Sequence, residues 1–260
     1  MVRDDLELRK WLIILGAVGG LGFSSWLLGW SELFQIREIS IEIRSEGEGR
    51  NGLEGGERLR LKAEEVRELI GIKLGENIFR ADLRGAQEVL LRHPLVREVA
   101  IRRALPGRVL VEVEEREPCL LVALGKDYYW ADREGYLLGK AAETEIETGS
   151  SIPPPFLFGA RVVKTERGLR LCERGRLALW ALCDPDLDRG VLARFSEIRL
   201  RSRSSSPELI LQGREGFQVL LDLEDLWERL RLLSRLLTRL KGGHYLYIDL
   251  RFGDVVLRPH

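Results

Sequence analysis

Between Trp11 and Trp30 the chain reads WLIILGAVGGLGFSSWLLGW, twenty residues without a charged side chain. At about 1.5 Å per residue a helix of this length covers roughly the 30 Å of a bilayer core. Trp11, Trp26 and Trp30 stand at or near its ends, where aromatic rings settle at headgroup level. Arg9 and Lys10 precede it and the next basic residue is Arg37, so the positive-inside rule puts residues 1–10 in the cytoplasm. A buried core helix is usually shorter. A cleaved signal peptide needs a small-residue cleavage site, whereas this stretch ends Leu27-Leu28-Gly29-Trp30. Residues 11–30 are read as an uncleaved transmembrane helix. Gly16, Gly20 and Ser24 recur every four residues and mark a face where a second helix can approach.

Beyond residue 30 the periodicity predicts the order β, α, α, β, β. Ile36, Ile39, Ile41 and Ile43 nearly alternate with polar residues over 34–43, the pattern of a half-buried strand. The glycine-rich stretch SEGEGRNGLEGGER (45–58) has no periodic apolar face and reads as a solvated loop. Leu61, Val66, Leu69 and Ile70 predict a short helix stopped at Gly71. Asp82 caps a second helix over 83–92, with Leu83, Ala86, Val89, Leu90 and Leu91 on or near one face, and Pro94 ends it. Strands follow at 96–102 and 108–116, joined at Leu105-Pro106-Gly107.

The rest of the chain predicts a β-rich second region. YYWADREGYLL (128–138) reads as a hairpin around Arg133, Glu134 and Gly135, and Pro153 to Pro155 close a polar linker. A helix is expected over 173–183 with Leu177, Trp180 and Ala181 on its apolar side. Strands are expected at 195–200, 208–211 and 217–221. Asp222 opens the clearest amphipathic helix, with the stripe Leu223, Leu226, Trp227, Leu230, Leu233, Leu237 and Leu240. Acids Glu224 and Asp225 fall in its first turn, and Gly242-Gly243 follow its end. A strand over 245–252 turns at Gly253-Asp254 into Val255-Val256-Leu257-Arg258. The fold class is α+β.

Composition narrows the function. The chain has 41 Lys and Arg against 41 Asp and Glu. With its main segments separately near neutral, it has no basic surface for nucleic acid. At 45% hydrophobic it can build packed cores. Serine-nucleophile, P-loop and zinc-protease signatures are absent, and His93, His244 and His260 are far apart. No catalytic residue, metal ligand set, cofactor or small-molecule substrate is expected. Glu112, Glu114 and Glu117 sit at strand spacing, but read as a charged solvated face opposite Val109, Val111 and Val113. Cys119, Cys172 and Cys183 are read as three partly buried thiols, with one pair involving Cys119 as the alternative. Cys172 and Cys183 are too far apart along one helix to bridge.

The stretch 77–118 carries Asn77-Ile78-Phe79, His93-Pro94-Leu95-Val96, Leu105-Pro106 and Glu115-Arg116-Glu117-Pro118. At these spacings behind an apolar span, it resembles the polypeptide-transport-associated (POTRA) domain of the bacterial cell-division proteins FtsQ and DivIB. YYWADREGYLL and Tyr245-Leu246-Tyr247-Ile248-Asp249-Leu250-Arg251-Phe252 resemble that family's Asp-x-x-Gly hairpin and terminal Tyr-x-Asp-Leu-Arg-aromatic strand. The 45–58 loop departs from it, being longer and richer in glycine.

The resemblance implies a cytoplasmic tail (1–10), a transmembrane helix (11–30), a POTRA-like domain (33–117) and a C-terminal β-rich domain (118–260) with an antiparallel sheet and a long helix. It also implies a noncatalytic, single-pass protein of the inner membrane at the division septum, its bulk extracytoplasmic. Its expected partners are FtsB/DivIC-like and FtsL-like proteins and the septal peptidoglycan synthase complex. In the family the last strand region pairs with the FtsB or DivIC partner, which here points to Arg251, Phe252, Val255, Val256 and Leu257. Two other readings remain. An outer-membrane assembly factor would need a long β-barrel after Arg116, and an anchored enzyme would need a catalytic constellation.

Overall fold

A computed structural model describes residues 32–45, 59–141, 155–202, 207–239, 245–252 and 254–259. The described residues divide into two compact units. The first holds those up to Arg44 with Lys62–Leu90 and Glu98–Val113; the second holds Ser45, 59–61, Leu91–Arg97 and those from Glu114 onward.

The first unit has the predicted βααββ order. β1 (Glu38–Ser45), α1 (Ala63–Ile70), α2 (Leu83–Leu91), β2 (Val96–Ala104) and β3 (Arg108–Glu115) form a three-stranded sheet, ordered β1-β3-β2, and its two helices. β3 alternates as expected, with Val109, Val111 and Val113 essentially inaccessible. α1 buries Val66 and Ile70, one turn apart, and stops at Gly71, whose φ of 63° is a left-handed cap. In α2 the Asp82 Oδ1 accepts the Gly85 N–H at 2.9 Å, an N-cap, while Leu83, Ala86 and Leu90 turn inward.

The first strand starts four residues later than the alternation suggested. Residues 32–34 form a single 3-10 turn, and Gln35 bridges antiparallel to Asn77. Ile36 therefore belongs to a ladder with the 75–78 segment, which accounts for its broken spacing from Ile39. Gly107 is required by close approach: a Cβ there would lie 2.5 Å from the Gln35 carbonyl oxygen.

The second unit is built on a nine-stranded sheet. Its strands are β4 (Leu120–Leu124), β5 (Asp127–Ala131), β6 (Leu137–Lys140), β7 (Phe156–Phe158), β10 (Phe195–Ser202), β11 (Pro207–Gly213), β12 (Gln218–Asp222), β13 (Tyr245–Asp249) and β14 (Val256–Pro259). They are ordered β14-β13-β12-β11-β10-β7-β4-β5-β6. β8 (Val162–Thr165) and β9 (Gly168–Leu171) form a separate two-stranded ribbon. The sheet is mixed: β7 runs parallel to both β4 and β10, and β12 parallel to β13. A parallel neighbour needs a crossover. Two of these are helical: α3 (Glu173–Leu182) and α4 (Arg189–Ala193) lie between β7 and β10, and α5 (Leu226–Arg239) between β12 and β13.

Helices α3 and α5 pack against each other. One continuous core joins Ala178, Leu179 and Leu182 of α3 and Leu226, Leu230, Leu233 and Leu237 of α5 to inward residues of the sheet such as Val122, Leu209, Val219 and Ile248. Each fully buried leucine contributes about 1.5–3 kcal/mol relative to exposure. Leu121, next to Val122 and so on the opposite face of β4, belongs to a smaller cluster with Leu95, Trp130, Leu138 and Ala141.

Three expectations are corrected. Cys119 and Cys183 form a disulfide with Cα atoms 6.0 Å apart, so only Cys172 is a free thiol. This realises the alternative pairing, because α3 brings its C-terminal Cys183 beside the start of β4. α3 also buries a different face: Leu177 and Trp180 are 51% and 54% exposed, while Gly175, Ala178, Leu179 and Leu182 turn inward with Ala181. Small side chains let the helix approach closely, a signal that a count of large apolar residues overlooks. α5 begins at Leu226 rather than Asp222. Asp222 still pairs with Glu208 at the end of β12, and Asp225 takes a positive φ of 53° before the first turn.

β4, β7, β8 and β9 were not anticipated. The 45–58 loop past residue 45, the polar linker up to residue 154, Leu240 and the glycines at 242–243 lie outside the described residues, as does the span with Gly16, Gly20 and Ser24. Among the described residues no helix is long and apolar enough to cross a membrane.

Candidate partner-binding edge

β14 terminates the nine-stranded sheet, pairing with β13 on one side. The register sets Asp249 opposite Val256, Ile248 opposite Leu257 and Tyr247 opposite Arg258. The backbone groups along its other side are those of a sheet edge, able to pair with an added strand.

The five predicted residues come together in this terminal hairpin but face different ways. Phe252 is 66% exposed and Val256 45%, with Leu246 of β13 also exposed. Val255 and Leu257 are partly buried and pack against the main core, which seats the strand.

Arg251 is engaged internally. Its Nη2 and Nε donate to Asp249 Oδ2 and Oδ1 at 2.7 and 3.0 Å, and its Nη1 donates to Glu208 Oε1 of β11 at 2.6 Å. Asp249 Oδ1 also accepts the Arg251 backbone N–H, and Tyr247 Oη reaches Asp249 Oδ2 at 3.3 Å. Burial pushes the Asp249 carboxyl up, but the Arg251 hydrogen bonds outweigh it and hold the group below its ordinary range. The guanidinium is correspondingly held above its ordinary value, chiefly by the hydrogen bond to Asp249. Arg229 of α5 completes the support: its Nη1 donates to the Leu250 and Phe252 carbonyls. The Leu250 N–H is taken by Leu220 O at 2.9 Å, fixing where the chain leaves β13.

Glu208, Arg229, Tyr247 and Asp249 were not singled out from the sequence as parts of this site. The Asp249/Arg251 spacing was a usable signal, since residues two apart in a strand share a face. Glu208 and Arg229 come from β11 and α5, and nothing in local spacing connects them to the terminal strand.

A second ion network lies within the same unit, at its first strands. Arg116, with a side chain 2% exposed, donates from Nη1 to Asp132 Oδ2 at 2.5 Å and Glu134 Oε2 at 3.0 Å, and from Nε to Val96 O at 3.1 Å. Its guanidinium stacks 3.9 Å from the Tyr136 ring centre. Asp132 Oδ1 accepts the Tyr136 N–H, and Gly135 closes the turn with φ 84°. The Glu-Arg-x-Pro and Asp-x-x-Gly pieces are thus two halves of one network. The acids raised as a carboxylate pair are engaged too: Glu112 lies 3.6 Å from Arg102, Glu114 2.9 Å from Arg97, and Glu117 accepts from Ser45. Among the described residues no cluster of His, Cys, Asp and Glu could hold a metal ion.

Residues 55–116 match the family model described as "POTRA domain, FtsQ-type". The cell division protein FtsQ of Anaeromyxobacter sp. (strain K) is 29% identical over 238 residues, covering 88% of this chain and 71% of that protein. The FtsQ of Geobacter sp. (strain M21) is 26% identical over 242 residues, covering 92% and 82%. A solved major extracytoplasmic domain of the cell division protein DivIB from Geobacillus stearothermophilus is 18% identical, with a TM-score of 0.34, and covers 48% of this chain and 96% of that one. The chain's resemblance to the FtsQ/DivIB family is therefore shown, and in sequence it runs along nearly its whole length.

Proposed function

We propose that the protein is a noncatalytic, membrane-anchored scaffold of the bacterial divisome that recruits an FtsB/DivIC-like partner, itself joined to an FtsL-like protein, by strand addition at β14. In this reading the partner continues the sheet beyond β14 and the assembly helps control the septal peptidoglycan synthase. The observation that carries it is the place of β14 at the end of the sheet order, with Phe252 and Val256 outward. Main-chain hydrogen bonds would supply affinity, and these alternate side chains selectivity. The relatives' names support the division role. Residues 11–30 act as the anchor of a type II protein, with Gly16, Gly20 and Ser24 as a lateral packing face. The Cys119–Cys183 disulfide supports an extracytoplasmic placement for the described units, because structural disulfides persist in oxidising compartments.

The test uses the full chain in detergent or nanodiscs with the extracytoplasmic segment of the partner. Phe252→Ala with Val256→Lys alters two exposed side chains and places a charge on the edge, so the fold should persist while binding weakens about 10-fold or more. Unchanged binding by a variant of unchanged melting temperature would put the partner elsewhere.

A further inference from the structure

We propose that the end of the POTRA unit formed by Leu33, Phe34 and Phe79 rests in the headgroup layer of the bilayer, an inference that depends on residues 11–30 being the anchor. Phe34 and Phe79 are brought together by backbone geometry, and Leu33 is the chain neighbour of Phe34. Phe34 O accepts the Ile78 N–H at 2.8 Å, Glu76 O accepts the Ile36 N–H at 2.8 Å, and Gln35 bridges antiparallel to Asn77. The Phe34 and Phe79 rings pack with centres 5.2 Å apart, and Leu33 precedes Phe34 in the 3-10 turn. Leu33 is nevertheless 56% exposed and Phe79 46%, so the apolar surface around the Phe34–Phe79 pair faces outward. Arg103 holds the other half of the ladder in place by donating to the Ile78 and Ala81 carbonyls at 2.8 and 3.1 Å.

Chain length selects the occupant. Leu33 is three residues from Trp30, the last residue of the uncharged span, so the two are at most about 10 Å apart. The headgroup layer on one side of a bilayer is roughly 5–8 Å deep, so a cluster tethered this closely lies at or just above it. Aromatic and aliphatic side chains are favoured there. Glu32, Glu76 and Arg80 flank the cluster in the chain, with no excess of basic charge, so the contact is with the apolar part of the interface and does not need anionic lipid.

Spin labels read this directly. The full chain carries Cys172→Ser with its disulfide intact, is reconstituted in vesicles of phosphatidylcholine alone, and is labelled singly at Ser24→Cys, Leu33→Cys, Phe79→Cys or Arg44→Cys. Arg44 is a solvent control at the far end of β1, about 20 Å further along the strand. The ratio of collisions with lipid-dissolved oxygen to collisions with a water-soluble nickel chelate should be highest at residue 24. At 33 and 79 it should be several-fold higher than at 44. A lipid value at 24 with equal aqueous values at 79 and 44 would overturn the interfacial contact while leaving the anchor intact. An aqueous value at 24 would remove the anchor and this inference together. Shielding of residue 79 that appears only after a partner protein is added would assign the cluster to that protein instead.

Discussion

Two arginines, Arg116 and Arg251, account for much of what the family-like motifs do in this molecule. Each is paired with carboxylates that are themselves buried, so removing the cation strands a charge away from water. Arg116→Leu should cost about 3–5 kcal/mol in denaturant unfolding, and adding Asp132→Asn should recover part of that loss, because the stranded carboxylate is then gone. The Asp249 pair carries a pH dependence. Its folded carboxyl is held below its ordinary range, so its stabilisation is present above the unfolded value of about 3.9 and lost as pH falls through the lower folded value. The stability gap between the native chain and Asp249→Asn should therefore narrow on acidification below about pH 4. A gap that widened would contradict the pairing.

At the level of elements, what the sequence reveals depends on the range of the determining interaction. The βααββ order is readable because each element announces itself locally: Val109, Val111 and Val113 by a two-residue period, α2 by Asp82 and Pro94. In α3 the buried face includes Gly175, Ala178 and Ala181, whose smallness carries no apolar signal along the sequence; Gly175 matters because a Cβ there would meet Leu171 of β9 at 3.0 Å. Leu230→Ala should accordingly cost about 2–5 kcal/mol, whereas Leu177→Ala on the outward face should cost less than about 1 kcal/mol. β7, β8 and β9 are three or four residues long, too short for a period to register. The disulfide joins positions 64 residues apart, and closing a loop of that size restrains the unfolded chain by about 4 kcal/mol in the entropic account. Cys119→Ser should lower unfolding stability by about 2–4 kcal/mol, and reductant should destabilise the native chain but not this variant.

At the scale of the whole molecule, the candidate site was visible in the sequence only through resemblance. Whether 256–259 is an edge or an interior strand depends on the order of nine strands, and the parallel insertions of β7 and β13 leave no mark on the residues concerned. Physical reading of the hairpin alone finds a turn and two apolar strands. The assembled sheet adds that Phe252 and Val256 face outward while Arg229, Glu208 and Asp249 hold the bend beneath them.

The strand-addition account is tested most directly by amide hydrogen exchange on the full chain with and without the partner's extracytoplasmic segment. Partner binding should slow exchange of outward amides within 255–258 by at least about 10-fold, leaving the opposite edge at Leu137–Lys140 unchanged. A complex that forms without altering exchange at β14 would contradict it.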